Sequence, residues 1–280
     1  MILVTGQDGF IGSALMKFLK GKGHKVVGME KSFLDEPNWQ DAVIRHLNTW
    51  NPDSVFHVGA CADTQNYDIN YMMKYNAECT MIISNWCKQK EVPMIYSSSA
   101  SCYGTNGVSP NTIYGWSKYL GEKAVVGNKQ IALRYFNVYG FDESHKGKMA
   151  SVAYQSYIKH SRGEEIKLFP CTPHRDFIFV RDVVNANYLA LINYNDNRAG
   201  YYDVGTGKAR KFEDVLDIMR IDYKYADERD IPKGYQFYTE ADKSKFLQGW
   251  KPYYTLESGL DTYVRELSSF SSNKHIQSGL

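Results

Sequence analysis

The chain has 280 residues, 43% of them hydrophobic, which is enough to bury an α/β core and a smaller second portion. Its 33 basic and 31 acidic residues are dispersed and give a net charge of +2, which argues against a nucleic-acid-binding protein. No apolar run reaches the roughly 18 to 20 residues of a membrane span, and five scattered cysteines without a C-x-x-C pair predict neither disulfides nor a structural metal.

The first twelve residues predict a strand, a glycine loop and the start of a helix. An apolar run from Ile2 breaks into Gly6, Gly9 and Gly12, and a helical pattern of apolar residues follows. Glycine permits a tight turn and a close approach of the backbone to a pyrophosphate, while the helix N-terminus supplies N–H groups. This pattern predicts a dinucleotide site. A strand beginning at Ile2 leaves no room for a signal peptide, so we expect a cytoplasmic protein.

A second predicted strand, over residues 25–29, leads directly to Glu30. An acidic side chain at this point would accept hydrogen bonds from the adenosine ribose hydroxyls. Its charge disfavours a ribose 2′-phosphate, whereas the adjacent Lys31 favours one. The cofactor is therefore NAD or NADP, with NAD favoured. A salt bridge from Glu30 to Lys25 or Lys31 is the alternative role of this carboxylate.

The segment over residues 30–51 is short and predicts a trimmed third strand at 32–34, with Leu34 and Asp35 near the adenine. Apolar strands and helical stretches then alternate, which predicts a parallel sheet with helices on both faces. These predicted elements are strands at 54–58, 93–97 and 131–135 and helices at 71–88 and 118–126.

The pattern loosens after Gly140 into a polar loop at 142–148 and a helix at 149–160 that stops at Gly163. Strands at 177–180 and 201–204 are expected to return to the main sheet. We therefore predict a Rossmann doubly wound parallel sheet with a smaller, interleaved C-terminal substrate-binding domain. The predicted boundaries are 1–140 and 176–204 for the NAD(P)-binding domain, 141–175 and 205–270 for the substrate-binding domain, and 271–280 for a disordered tail.

Tyr114 and Lys118 stand four residues apart, so they share one face of a predicted helix. A phenol titrates near pH ~10, and a neighbouring cation would favour the phenolate for acid–base work. A serine of the run 97–99, at the end of a neighbouring strand, could bind the same substrate oxygen, with a strand-end cap as its alternative role. Together with the glycine loop, these residues predict a redox enzyme.

Four segments resemble the extended short-chain dehydrogenase/reductases that act on nucleotide sugars, namely residues 5–12, 98–104, 114–118 and 175–183. Within that superfamily, the chain is most similar to the ADP-L-glycero-D-manno-heptose 6-epimerases. The residues that carry this closer likeness are 59–61, 71–73, 134–140, 145–153 and 233–236.

The resemblance implies an epimerisation in which bound nicotinamide takes hydride from the sugar C6 and returns it to the other face of the resulting ketone. It assigns Tyr114 and Lys146 to opposite sides of the sugar. Ser99 would bind the substrate oxygen, and Lys118 would hold the nicotinamide ribose while lowering the tyrosine pKa. A solvated loop lysine is the alternative reading of Lys146.

The resemblance also implies the remaining contacts. Arg175 would form a bidentate pair with phosphate, and a structural pair with Asp176 or Asp182 is the alternative. The predicted substrate-binding residues are Ser99, Asn137, Lys148, Gln155, Phe169, Arg175 and Tyr235. The predicted cofactor-binding residues are Gly6, Gly9, Phe10, Ile11, Gly12, Glu30, Lys31, Asp35, Gly59, Ala60, Cys61, Asn76, Tyr114, Lys118, Val138 and Lys146.

Two positions depart from the heptose epimerases, which typically carry Ser where this chain has Lys148 and His where it has Gln155. The substrate can therefore be another nucleotide sugar. The residues after Ser99 lack the Asp-Glu pair of related 4,6-dehydratases, which disfavours elimination of water.

Two other functions stay open. A 4-epimerase or 4-keto-sugar reductase of the same superfamily would need only Ser99, Tyr114 and Lys118, and the remote alternative is a non-catalytic NAD(H)-binding Rossmann protein. Apolar residues on several faces of the helices at 71–88 and 114–126 predict a homo-oligomer, a dimer or larger.

Overall fold

The computed structural model of the protein describes residues 1–230 and 236–277. The described strands are β1 (Ile2–Thr5), β2 (Val26–Met29), β3 (Ser54–His57), β4 (Met94–Ser99), β5 (Ile131–Tyr135), β6 (Asn137–Tyr139), β7 (Lys167–Leu168), β8 (His174–Arg175), β9 (Phe177–Phe179), β10 (Gly200–Val204), β11 (Arg210–Lys211) and β12 (Lys224–Tyr225). The described α-helices are α1 (Phe10–Gly21), α2 (Trp39–Trp50), α3 (Ile69–Met72), α4 (Cys79–Gln89), α5 (Ile113–Gly127), α6 (Val152–Ser161), α7 (Val180–Ile192), α8 (Phe212–Met219) and α9 (Leu256–Gln277).

Six strands form one parallel sheet in the order β10, β5, β4, β3, β1, β2. Its central strands are buried apolar runs, as expected of a parallel sheet that is covered on both faces. The chain runs from β1 to β2 on one side and then crosses to β3 on the other. This reversal opens a crevice beyond the carboxyl ends of β1 and β3, where doubly wound folds bind ligands. The predicted fold class is confirmed.

Helices cover both faces of this sheet. Successive residues of β4 point to opposite faces. Ile95 packs in a core that includes residues of α1 and α7, whereas Tyr96 packs in a core that includes residues of α2 and α4. A third core lies beyond the sheet and joins Phe10 to β9, α8 and α9. The second and third cores share no buried residue. Through Phe10, the start of α1 after the glycine loop packs against the C-terminal part of the chain.

The prediction that residues 177–180 rejoin the main sheet is wrong. Phe177–Phe179 pairs in parallel with Asn137–Tyr139 in a separate two-stranded sheet, and Val180 begins α7. The physical reason is that β5 already has β4 on one side and β10 on the other. The prediction for 201–204 is confirmed, because these residues lie in β10.

The trimmed third strand at 32–34 is also absent, since Lys31–Asp35 forms a 3₁₀ turn. Side chains of this turn bond to the helical segment opposite, with Lys31 donating to Tyr71 and Asp35 accepting from Tyr75. Those bonds fold the segment over the sheet edge instead of extending it.

Two helical predictions differ in detail. The predicted helix at 71–88 is observed as α3, a π-helical turn at Met73–Glu78, and α4.

Helix α9 runs to Gln277, so residues 271–277 of the expected disordered tail lie in this helix. The sequence after Gly259 permits this, because it contains no Gly or Pro as far as Gln277. Residues 278–280 lie outside the described part of the chain. Among the described helices, none is both long and apolar enough to cross a bilayer.

Candidate active site

Two adjacent cavities, which share several lining residues, lie beyond the carboxyl ends of the parallel strands. The larger has a volume of about 1080 Å³, and the smaller, beside Glu30, about 270 Å³. The glycine loop and residues 59–61 line both. Predicted site residues that line the larger cavity are Gly6, Gly9, Phe10, Ile11, Gly12, Gly59, Ala60, Cys61, Ser99, Tyr114, Asn137, Val138, Lys146, Lys148, Gln155, Phe169 and Arg175.

The glycine loop has the geometry of a phosphate-binding turn. Gly6 has a φ of +66°, and a Cβ there would lie 2.6 Å from the Gly59 Cα. A Cβ at Gly12 would lie 1.9 Å from the Gly6 carbonyl oxygen, so helix α1 packs directly on the turn. Gly9 caps the N-terminus of α1 without a side-chain hydrogen bond. The first-turn N–H groups therefore suit a pyrophosphate, and the residues fit a dinucleotide.

The smaller cavity has the features of an adenosine pocket. Glu30 follows β2 at the cavity wall and is exposed. Lys31 Nζ donates to Tyr71 Oη at 2.8 Å and lies 4.9 Å from the centre of the Tyr75 ring. The aromatic pair therefore engages the Lys31 ammonium. Asp35 is exposed and accepts a hydrogen bond from Tyr75 Oη, and of the two residues predicted to lie near the adenine, Leu34 lines this cavity and Asp35 does not.

His57 supports the glycine loop and has no free nitrogen for acid–base chemistry. Its Nδ1 lies 2.7 Å from Thr5 Oγ1 and its Nε2 lies 2.9 Å from Thr80 Oγ1. Burial, with a contribution from the Lys118 charge, lowers the His57 pKa to about 3. Thr5 Oγ1 also accepts from Gly59 N–H at 2.9 Å. The imidazole thus orients Thr5, whose hydroxyl holds Gly59 next to the glycine loop.

Asn76 is fully buried behind the cavity wall, although it was predicted to bind cofactor. Its Oδ1 accepts from Cys61 N–H at 2.7 Å, and its Nδ2 lies 3.0 Å from the Cys61 carbonyl oxygen and 2.9 Å from Ser117 Oγ. Asn76 lies in the π-helical turn, a distortion that is frequent near functional sites. In this structure it positions the cavity-lining loop and α5 rather than facing the cavity.

Ser99 and Tyr114 meet in the larger cavity. Ser99 ends β4, and Tyr114 lies in the first turn of α5, which begins because Thr112 Oγ1 accepts from Gly115 N–H at 3.0 Å. Burial raises the Tyr114 pKa to about 12, while the hydrogen bond with Ser99 lowers it. Among the described residues, the other groups that shift this pKa are Cys102 and Cys61, and both raise it.

Lys118 is expected to lower the Tyr114 pKa, but it is not among the groups that shift this pKa in the free protein. It is 2% exposed, and its Nζ lies 4.4 Å from the centre of the Tyr96 ring. Burial lowers the Lys118 pKa to about 8, although the nearby Cys102 and Glu122 oppose that shift. The i, i+4 spacing thus places both residues on α5, but tertiary packing decides where the cation sits.

Lys146 lines the same cavity from a 3₁₀ segment, Ser144–Met149. Its Nζ lies 4.7 Å from the centre of the Phe10 ring and 3.2 Å from Glu143 Oε2. Its side chain is 21% exposed, so it is largely withdrawn from solvent, which favours the site role over that of a solvated loop lysine. The buried partner Glu143 was not identified from the sequence, where it appeared as one of several charged residues in a polar loop.

Five further predicted substrate residues line the larger cavity, namely Asn137, Lys148, Gln155, Phe169 and Arg175. Gln155 is held by a 2.7 Å hydrogen bond from its Nε2 to the Ala150 carbonyl oxygen. Arg175 Nη1 donates to the His174 carbonyl oxygen at 2.9 Å, and its Nη2 donates to that of Gln236. Tyr235, also predicted to bind substrate, lies outside the described residues.

The sequence analysis missed two cavity-lining lysines, Lys159 and Lys167. Lys159 follows Gln155 by four residues on α6, and this i, i+4 spacing could have identified it. Lys167 is paired with Glu165 at 3.3 Å, and no sequence pattern marks it. Groups of His, Cys, Asp and Glu with the geometry of a metal site do not occur among residues 1–230 and 236–277.

Comparison with known proteins identifies relatives of the whole chain. Residues 2–205 match the family model described as the NAD dependent epimerase/dehydratase family. The chain is 35% identical to the ADP-L-glycero-D-manno-heptose-6-epimerase of Brachyspira hyodysenteriae, with 95% of this chain and 98% of that protein covered.

Solved structures show the same fold. The ADP-L-glycero-D-manno-heptose-6-epimerase of Helicobacter pylori superposes with a TM-score of 0.82 at 26% identity, covering 95% of this chain and 96% of that one. The UDP-glucose 4-epimerase of Thermotoga maritima, solved with UDP-glucose, superposes with a TM-score of 0.84 at 26% identity. The match covers 96% of this chain and 99% of that one.

Proposed function

We propose, since this chain belongs to the NAD-dependent epimerase/dehydratase family, that it is a nucleotide-sugar epimerase acting by transient oxidation of one sugar carbon. The observation that carries the proposal is the pair of proton-transfer groups in one cavity. Tyr114 and Lys146 both line it, on α5 and on the segment before α6, and the glycine loop opens into the same space. With two such groups, one can take the proton from the substrate hydroxyl and the other can return a proton to the ketone oxygen.

In the proposed reaction, Ser99 and Tyr114 bind the hydroxyl of the reacting carbon, and Tyr114 as phenolate takes its proton while that carbon loses hydride. A nicotinamide cofactor held by the glycine loop and residues 59–61 would supply the hydride acceptor for this carbon and the hydride donor for the opposite face of the ketone. Lys146 then donates a proton to the ketone oxygen as the C–H bond reforms. Proton exchange with water restores Tyr114 and Lys146. Because the hydride that leaves the sugar is returned to it, no cofactor would be consumed.

The family relationship makes ADP-D-glycero-D-manno-heptose the first substrate to test, with C6 as the inverted carbon. A second candidate, a 4-epimerase acting on another nucleotide sugar, is favoured by a specific observation. Lys148 and Gln155 line the cavity at the two positions where this chain departs from the heptose epimerases. An added cation changes which sugar substituents the cavity can accommodate.

We propose NAD as the cofactor. The Glu30 carboxylate at the wall of the smaller cavity would accept hydrogen bonds from ribose hydroxyls and repel a 2′-phosphate. Lys31 is the neighbouring cation, and its ammonium is engaged by Tyr71. Residues 141–175 and 205–270 would bind the nucleotide sugar, and the rest of the chain up to residue 204 would bind NAD.

The function is tested by incubating pure protein with ADP-D-glycero-D-manno-heptose without added cofactor and following the C6 epimer by NMR. Tyr114→Phe and Lys146→Met serve as variants that each remove one proton-transfer group. We expect epimer from the wild type and a loss of rate of about 100-fold or more in each variant. Failure to invert this sugar, together with inversion of another ADP-, GDP-, CDP- or UDP-sugar, would favour the second candidate, and inversion of none would refute both.

A further inference from the structure

Glu143 is a fully buried carboxylate next to the candidate active site, and its side chain has 0% exposure. A charge taken out of water is costly unless hydrogen bonds compensate it. Glu143 Oε1 accepts from Gly140 N–H at 3.1 Å, Ser151 Oγ at 2.8 Å and Tyr263 Oη at 3.3 Å. Oε2 accepts from Ser151 N–H at 2.6 Å and from Lys146 Nζ at 3.2 Å.

Of these five donors, only the Lys146 ammonium is carried by a long, flexible side chain that reaches the cavity. Gly140 and Ser151 contribute backbone N–H groups, the Ser151 hydroxyl is held at the N-terminus of α6, and Tyr263 is buried in α9. These donors stay in place if the Lys146 ammonium moves away. The carboxylate would then keep four hydrogen bonds, so it stays in place as the acceptor for Lys146.

From this geometry we propose that Glu143 is the positioning residue of Lys146. It holds the ammonium beside Phe10, at the start of α1, and binds it again once the amine left by proton transfer to the substrate has regained a proton. The role depends on the proposed epimerase function, because Lys146 is the group that would transfer the proton. Gly147 assists, since its φ of +51° and ψ of −122° turn the chain between Lys146 and Lys148.

The same contacts connect the site to distant parts of the chain. Tyr263 lies 120 residues from Glu143, and Ser151 caps the helix that carries Gln155. Glu143 therefore fixes α6 and α9 relative to the segment that presents Lys146. If Glu143 had only a structural role, replacing it would lower the stability of the fold. If it is also the positioning residue, replacing it would in addition move the Lys146 ammonium.

The test compares Glu143→Gln and Glu143→Asp with Asp182→Asn. Asp182 is a buried carboxylate that accepts from the backbone N–H groups of Tyr253 and Tyr254 at 3.0 and 2.9 Å, away from the cavity. The aspartate variant keeps the charge but withdraws the acceptor from Lys146, so it remains informative if the glutamine variant fails to fold. Thermal unfolding of all three variants measures the structural cost.

The first readout is the rate of reductive methylation of Lys146 by mass spectrometry, with the exposed Lys148 in the same protein as internal reference. We expect the Lys146 rate to rise severalfold relative to Lys148 in both Glu143 variants and to stay at the wild-type ratio in Asp182→Asn. The second readout is the steady-state rate of epimerisation. We expect kcat to fall about 100-fold with KM within about twofold, because displacing a reacting group by an ångström costs this much.

An unchanged Lys146 methylation ratio in both Glu143 variants would overturn the proposal, as would a loss of kcat in Asp182→Asn equal to that in Glu143→Gln. The methylation readout does not depend on catalysis. If the wild type inverts no nucleotide sugar, the proposed function fails, and the methylation ratios still decide whether Glu143 holds Lys146.

Discussion

Tyr114 and Lys118 share one face of α5, yet different neighbours govern their ionisation. Burial raises the Tyr114 pKa to about 12, so the phenol is neutral at pH 7 in the free protein. Burial lowers the Lys118 pKa to about 8, which makes this ammonium unusually easy to deprotonate. A base at Tyr114 therefore needs positive charge brought to it when ligands bind, since its own surroundings favour the phenol.

His57 gives a prediction for stability against pH. Its pKa is about 3 in the folded protein and near 6.5 when unfolded, so below pH 6.5 the unfolded chain binds a proton that the folded protein does not. Stability is therefore complete above pH 6.5 and is lost as pH falls toward 3. Between pH 7 and 4.5 this histidine alone should cost about 2 to 3 kcal/mol.

Urea unfolding of the wild type and of His57→Gln at both pH values measures this cost. We expect the free energy of unfolding to fall less with acidification in the variant, by about the amount given above. The six other histidines and all carboxylates are common to both proteins and cancel in the comparison. Equal pH dependence in the two proteins would show that His57 is not the neutral, buried group described.

At the scale of elements, helix α1 contains two glycines, Gly12 and Gly21, of which only Gly12 packs on the glycine loop. A Cβ at Gly12 would collide with the Gly6 carbonyl oxygen at 1.9 Å, whereas a Cβ at Gly21, in the same helix, meets nothing within 4 Å. Gly12→Ala should lower the free energy of unfolding by about 2 kcal/mol or more and reduce the amount of NAD bound. Gly21→Ala should be neutral or stabilise by up to about 1 kcal/mol.

Chemical denaturation and the absorbance of bound dinucleotide report the two effects. Normal cofactor binding by Gly12→Ala would mean that the loop does not hold the pyrophosphate. A loss in Gly21→Ala of similar size would instead show that any alanine in α1 disturbs the site.

Elements whose pattern is local were predicted well from the sequence. The strand, glycine loop and helix of residues 1–21 follow from apolar runs and glycine spacing, which depend only on neighbouring residues. The strand at 177–179 was assigned to the wrong sheet because its partner depends on which edges are already occupied. The π-helical turn at Met73–Glu78 has the composition of an ordinary helix, so no propensity distinguishes it.

The candidate site was predictable to a similar extent. Ser99, Tyr114 and Lys146 line one cavity, as the motifs indicated. Glu143 was missed because its burial depends on Ser151 and on Tyr263, 120 residues away. The position of Lys118 was missed because the Tyr96 ring, on a neighbouring strand, attracts its ammonium.

At the scale of the whole molecule, helix α5 presents apolar side chains to solvent. Trp116 is 42% exposed and Leu120 is 37% exposed, and their i, i+4 spacing places them on one face. We predict that this face associates with a second copy of the chain, as most soluble oligomers pair identical surfaces. Leu120→Lys should then lower the molar mass measured by light scattering, whereas Ile192→Lys should not. Ile192, which is 56% exposed at the end of α7, is the matched control.

A wild-type mass equal to the monomer at micromolar concentration would contradict this prediction. An equal effect of Ile192→Lys would assign the interface elsewhere.

The most direct test of transient oxidation is epimerisation in D₂O. The wild type is incubated with a nucleotide sugar that it inverts, and the inverted carbon is examined for deuterium by NMR and mass spectrometry. If the hydride leaves that carbon for a bound nicotinamide and returns from it, the product retains protium there, as our account predicts. Deuterium at the inverted carbon in proportion to turnover would show exchange with solvent, and would contradict hydride transfer as the means of inversion.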